Sequence, residues 1–318
     1  MGMNWVDQGG YLTNNKLSMD YQKMAQPLFR FRQFVNVKEA FGKQNGQSVN
    51  WLKVSNVGAY GKQIAETNVA PETTQTLTWG TTTVTEYMNS IPFTFKMEAL
   101  SEFDVKAIIK EGLMEDMVKV LDGTVEREFN KTPLRYIGTT TSTGTTYTAS
   151  TASALTNTSV LNSYHVRKMR LELEKLNVPK YDGDYVFVGS LEAIESLEGA
   201  VETTQQYVES GFKMIMNGEV GRLHGVRFIK DGFASRYVFS PTAGTATAIT
   251  WTTGNSGVGY MFGKPTVMEA VAVPEEIRQK VVTDYGRSKG LGYYFLGGWS
   301  IMENDATRAR IIKWDSAA

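Results

Sequence analysis

The sequence predicts an α+β fold, and three stretches carry that prediction. Residues 46–95 are rich in Thr and aromatic side chains and read as a long two-stranded β-hairpin. Residues 101–130 repeat apolar side chains at helical spacing, and from Gly218 onward short strand signals alternate with Gly and Pro. Between them a helix–strand–helix run, about 159–197, marks a second module containing both kinds of element.

In chain order, residues 1–45 come first. They hold Trp5, Tyr11, Tyr21, Phe29, Phe31, Phe34 and Phe41, with no periodicity that would bury the rings locally. Disordered tails are poor in aromatics, so the segment reads as an arm lying on another surface, partly on neighbouring chains. Docking on its own core is the alternative. In the hairpin, one strand is 48–54 and the return runs from 76 through Tyr87 to 95, around a tip with Gly58, Gly61 and Pro71. A hairpin is marginal alone in water, and one this long needs a surface, from its own domain or from a second copy.

The helix at 101–130 opens on Ser101 and Asp104, a capping-box-like start. Val105, Ile109, Leu113, Met117, Leu121, Val125 and Phe129 recur every four residues, charged side chains occupy the other faces, and Pro133 marks the stop. Thirty residues at about 1.5 Å each make a rod of about 45 Å, long enough to act as a structural spine. Residues 139–158 are an uncharged Thr/Ser/Ala/Gly tract that reads as a surface loop or hairpin. A second helix at 159–177 carries Val166, Met169, Leu173 and Leu176 on one face; 185–188 reads as a buried strand, and Ser190 caps a short helix. Strand candidates follow at 226–229, 237–239, 258–262, 267–273, 281–282, 293–302 and 310–314, while Pro274-Glu275-Glu276 reads as a helix or turn start. No repeat of 20–50 residues is visible, which argues against solenoids and propellers.

Composition narrows the function classes. Lys plus Arg and Asp plus Glu are both 33 in 318 residues, so no net field draws in nucleic acid, and self-association is not opposed. With no cysteine, disulfides, thiolate metal sites and cysteine nucleophiles are excluded. No run of eighteen apolar residues and no signal-like N-terminus is present, so the expectation is a soluble protein with no membrane contact.

Chemistry-bearing constellations are sparse. His165 and His224 are the only histidines and sit in no catalytic pattern, so both read as structural. Asp182-Gly183-Asp184 lacks the further ligands of a calcium loop and reads as a turn. Glu192, Glu195 and Glu198 read as a solvated helix face. Gly257-Val258-Gly259 with Gly263 departs from the dinucleotide fingerprint, and Gly218, Gly221 and Gly225 lack the Lys-Ser/Thr of a phosphate loop. Arg308, Arg310 and Lys313 fit either a charged edge strand or sequence-independent phosphate contacts. The expectation is a non-enzyme with no catalytic residues, cofactor or metal.

The order of segments, with Gly46-Gln47-Ser48-Val49-Asn50-Trp51 opening the hairpin, Glu111-Gly112 in the spine, Gly218 to Val226 in the second module and Tyr285-Gly286-Arg287 to Ile301 near the end, resembles the tailed double-stranded DNA bacteriophage major capsid proteins of the Hong Kong 97 type. It is most similar to the N-four-like group. The resemblance covers essentially the whole chain. It implies an N-terminal arm at 1–45, an extended loop at 46–96, a peripheral domain at 97–155 and 286–318 with the spine helix, and an axial domain at 156–285. Its implied function is self-assembly as hexamers and pentamers into an icosahedral head enclosing DNA, assembled in the host cytoplasm. Implied partners are further copies of the chain, a separate scaffolding protein, a portal protein, a decoration protein and packaged DNA in sequence-independent contact. An encapsulin-like compartment shell and a virion adhesin or tail protein are the alternatives. Because aromatics dominate interfaces, Trp51, Trp79, Tyr60, Phe29 and Phe31 are the candidate inter-subunit contacts, with the chain's own core as the alternative for each.

Overall fold

The computed structural model describes residues 30–38, 46–54, 61–66, 68–152, 157–197, 222–232, 237–248 and 257–315. Two helices open the central region, α1 (Phe95–Leu100) and the long α2 (Val105–Asn130). Helix α2 starts beyond Ser101 because Asp104 caps it, its carboxylate accepting from the backbone N–H of Lys106 at 3.0 Å and Ala107 at 3.3 Å. Its 26 residues span about 39 Å at about 1.5 Å per residue. Val105, Ile109, Leu113, Leu121, Val125 and Phe129 are all buried, as the four-residue spacing predicts. Two more helices follow, α3 (Ala149–Ala152) and α4 (Ser163–Lys175), and residues 191–197 are also helical.

The first strands are β1 (Asn36–Lys38), β2 (Ser48–Val54), β3 (Leu77–Thr83), β4 (Thr85–Thr94), β5 (Leu134–Thr140), β6 (Thr143–Thr148) and β7 (Tyr185–Ser190). They are followed by β8 (Arg222–Leu223), β9 (Val226–Asp231), β10 (Tyr237–Ser240), β11 (Thr245–Ala248), β12 (Val258–Phe262), β13 (Val267–Gln279), β14 (Ser288–Ile301) and β15 (Ile311–Asp315). They form a four-stranded sheet β1-β13-β14-β4, a seven-stranded sheet β6-β5-β15-β12-β7-β9-β8, and two-stranded sheets β2-β3 and β10-β11.

Helix α2 joins the two large sheets. Its first half packs Ile109 and Leu113 against Phe93, Leu291 and Tyr293 of the four-stranded sheet. Its second half inserts Leu121, Val125 and Phe129 between Val186 and Phe262 of the seven-stranded sheet and Phe295 of β14. The opposite face of the seven-stranded sheet is covered by Val166, Met169 and Leu173 of α4. All six residues of β7 are buried, the pattern of a strand covered on both faces.

Three elements differ from the sequence reading. The hairpin's return strand splits at Val84. Residues 77–83 pair with β2, while 85–94 pair with β14. Val84 is the hinge point, its side chain buried and its N–H donated to the Gln47 carbonyl. The Pro92 inside β4 is tolerated because β4 is an outer strand of its sheet. Glu275 and Glu276 continue β13 rather than starting a helix, with the ladder out of register around Pro274, which has no N–H to donate. Residues 281–282 lie outside any strand, in the turn joining β13 to β14. Strand pairing also crosses the expected domain boundaries. β13 pairs with β14 beside the long helix, and β15 pairs with β5 and β12 in the seven-stranded sheet.

Residues 30–38, the described part of the expected arm, lie on the chain's own core. The Asp122 carboxylate of α2 accepts the backbone N–H groups of Arg30, Phe31 and Arg32 at 3.0–3.1 Å, and Arg32 pairs with Glu269 at 2.8 Å and with Glu275. β1 then runs parallel to β13. Burial raises the Asp122 pKa even against the three N–H donors and the Arg32 charge. Asp122→Ala strands three N–H groups, two of them only partly buried, and is expected to cost about 3 kcal/mol in urea unfolding. A loss below 1 kcal/mol would mean that water replaces the carboxylate at no penalty.

Candidate assembly surface

The β2-β3 hairpin sorts its side chains by the two-residue period of a strand. Val49 and Trp51 of β2 and Gly80 and Thr82 of β3 face inward and are buried. Trp51 stands opposite Gly80, and a Cβ built on Gly80 would lie 2.2 Å from the indole ring, so only glycine admits that ring. Gly80→Val is expected to expel Trp51 and destabilise the chain by about 2 kcal/mol in thermal or urea unfolding, while Thr81→Val on the other face stays near neutral. Equal losses at both positions would contradict this packing.

The outer face is different. Leu52 stands across from Trp79 and Val54 across from Leu77, and all four are exposed, Trp79 to 69%. Nothing else in the described chain covers this apolar quartet. Thr81 and Asn50 close its base with a 2.8 Å side-chain hydrogen bond. A contiguous apolar patch on an outlying hairpin marks an interaction surface more than a stability feature.

The candidate contacts separate accordingly. Trp79 is on the outer face. Trp51 is buried on the inner one, packed on its own chain. Phe31 is a correction to the expected contact set: it is 1% exposed and packs edge-on against Phe129 and Tyr260, because the Asp122 clamp turns it into the core. Phe29 and Tyr60 lie outside the described residues. Leu52, Val54 and Leu77 were missed, although period-2 alternation opposite Trp79 was the signal that finds them. A second exposed group was also missed. Val281, Val282 and the fully exposed Tyr285 crown the β13–β14 turn, where Asp284, Tyr285 and Gly286 all adopt positive φ.

The polar constellations have structural uses. His165 is buried, with Nδ1 3.1 Å from the Tyr136 hydroxyl and Nε2 3.1 Å from Ser159 Oγ, beside Trp314; burial lowers its pKa and keeps the ring neutral. His224 occupies a left-handed turn position with Nε2 2.7 Å from Ser163 Oγ; burial and then Arg167 and Arg170 lower its pKa. Asp182 and Gly183 form a left-handed turn, and Asp184 meets Arg222 at 2.9 Å. Gly259 makes room for Phe187, and Gly263 for the Pro179 carbonyl. Among the described residues no three His, Asp or Glu side chains are grouped to hold a metal ion, and no helix is long and apolar enough to cross a membrane.

No family model matches the chain and no curated protein matches it. Solved structures do. A chain in the capsid structure of cyanophage P-SCSP1u superposes with a TM-score of 0.66 at 12% identity, over 96% of this chain and 93% of that one. A chain in the head structure of Helicobacter pylori bacteriophage KHP40 gives 0.67 at 13% identity, covering 95% of each. A chain in the capsid of Ralstonia phage GP4 gives 0.66 at 12% identity, covering 96% of each. The fold is therefore that of phage capsid chains of the Hong Kong 97 type. It extends over nearly the whole length of both partners, so no large domain is added or missing relative to them.

Proposed function

We propose that this chain is the major capsid protein of a tailed double-stranded DNA phage, a shell subunit that assembles as hexamers and pentamers into an icosahedral head around the genome. The observation that carries the reading is the exposed Leu52–Trp79 and Val54–Leu77 face, on a hairpin attached to the fold that capsid chains share. An apolar face held away from its own core gains most when a second copy covers it. In this reading 46–96 is the extended loop lying across a neighbour. Residues 1–45 are the N-terminal arm. The four-stranded sheet with α2 is the peripheral module and the seven-stranded sheet the axial one, a division that supports moving β13 to the former and β15 to the latter. The mechanism is burial and closure, with no bond made or broken.

Membership of the N-four-like group rests on the hairpin-opening and Gly218–Val226 motifs. A separate scaffolding protein, a portal and a decoration protein are the expected partners, and contacts with packaged DNA are sequence-independent. The test is electron microscopy of the purified full-length protein, expressed with and without a neighbouring candidate scaffold gene. Closed shells tens of nanometres across are expected. Uniform small oligomers under both conditions would overturn the reading.

A further inference from the structure

Beside the hairpin lies a groove of about 310 Å³. One wall is the run Trp51 to Val54 of β2, a strand that pairs with β3 alone and so has a second, unused edge. The floor is apolar, from Leu176, Val178 and Met302. Arg308 and Arg310 line the far side. The carboxylate in the groove, Glu303, is already 3.0 Å from Lys53. Arg310 is half-buried and donates to the Lys264 carbonyl, and neither arginine is in an ion pair with a described carboxylate. An open strand edge, an apolar floor and unspent guanidinium groups together fit an extended segment that brings apolar side chains and one acid.

The same chain carries such a segment. Residues 68–76, on the hairpin tip, are exposed throughout and in no helix or strand. Within them Val69 and Pro71 fall on one side of an extended backbone and Glu72 on the other. The tip leaves β2 directly after Val54, at the groove's own mouth, yet its described residues pack on nothing in their own chain. A groove and a ligand segment at different places on one surface make a head-to-tail contact, which closes into a ring.

We infer that the groove between β2 and residues 302–310 receives the hairpin tip of a second copy, with Val69 and Pro71 on the apolar floor and the Glu72 carboxylate on Arg308. The inference rests on the shell-subunit reading and adds to it a receiving site. An acidic peptide edge is favoured over a nucleic-acid phosphate because the floor is apolar and offers no aromatic ring for a base.

The absence of cysteine makes the test direct. Full-length Val69→Cys and full-length Thr307→Cys chains are co-expressed with the candidate scaffold and oxidised, so that a disulfide between the two sites can only join different copies. Shells containing a covalent Val69→Cys–Thr307→Cys dimer are expected. Adding Arg308→Glu is expected to lower the dimer yield roughly fivefold, and Glu72→Arg in the other chain to restore it. Shells without the dimer overturn the groove assignment and leave the shell reading standing. Small oligomers without the dimer overturn both. An undiminished dimer with Arg308→Glu, together with shells depleted of nucleic acid, would assign the arginines to phosphate and overturn the Glu72 pairing.

Discussion

Trp79→Glu is expected to leave the chain folded and to abolish shell formation. Within the chain, Trp79 touches mainly its cross-strand partner Leu52, and such a pair contributes about 0.2–1 kcal/mol. Thermal unfolding of the unassembled protein should therefore move little. Across an interface the balance changes. A buried tryptophan anchor contributes about 2–4 kcal/mol, and a charge in its place also has to be desolvated. Every copy in a shell loses that contact at once, so closed particles should disappear from micrographs and sedimentation should show small species. Trp79→Phe keeps the apolar ring and should retain some assembly. Normal shells from Trp79→Glu would mean that the outer hairpin face is not a subunit contact.

Glu126→Gln is expected to stabilise the unassembled chain at alkaline pH and to flatten its pH dependence. Glu126 lies on α2, and burial, then the charges of Asp231 and Asp122, push its pKa up to about 8 from 4.5, with Lys313 opposing them. Below about 4.5 the folded and unfolded chains both hold the proton, and the group costs nothing. Between about 4.5 and about 8 the unfolded chain releases its proton first, so stability falls as pH rises and the full loss is reached above about 8. That displacement corresponds to at most about 5 kcal/mol, and the partial solvent access of the side chain brings the expected loss to about 2–3 kcal/mol. Asp122 and Glu269, whose pKa values burial also raises, act in the same direction. Urea midpoints between pH 5 and 9 measure the effect. If wild type and Glu126→Gln show the same slope, Glu126 does not titrate in this window.

Much of the fold was legible in local pattern. The four-residue stripe from Val105 to Phe129 is fixed by helix geometry, and those side chains are buried wherever the helix is placed. β7 was legible because an uninterrupted apolar run of strand formers suits only a strand covered on both faces. The N-cap was misjudged between Ser101 and Asp104, two residues with equal local claims, and the outcome depended on α1 ending at Leu100. The break at Val84 carried no local sign. The residues on either side are equally good strand formers, and only the distant partners, β2 and β14, separate them.

The candidate surface was half legible. Aromatic content singled out Trp51, Trp79 and Phe31 together, since composition cannot tell a core ring from an exposed one. Their fates differ through long-range contacts: Asp122 on α2 turns Phe31 inward, Gly80 across the ladder admits Trp51, and nothing meets Trp79. The sequence by itself determined the element types, the spine helix and the absence of cysteine chemistry, because period, propensity and composition act within a few residues. Only the tertiary structure decided which strands pair, which rings are exposed and that a groove with two arginines opens beside β2, because each depends on residues far apart in the chain being brought together.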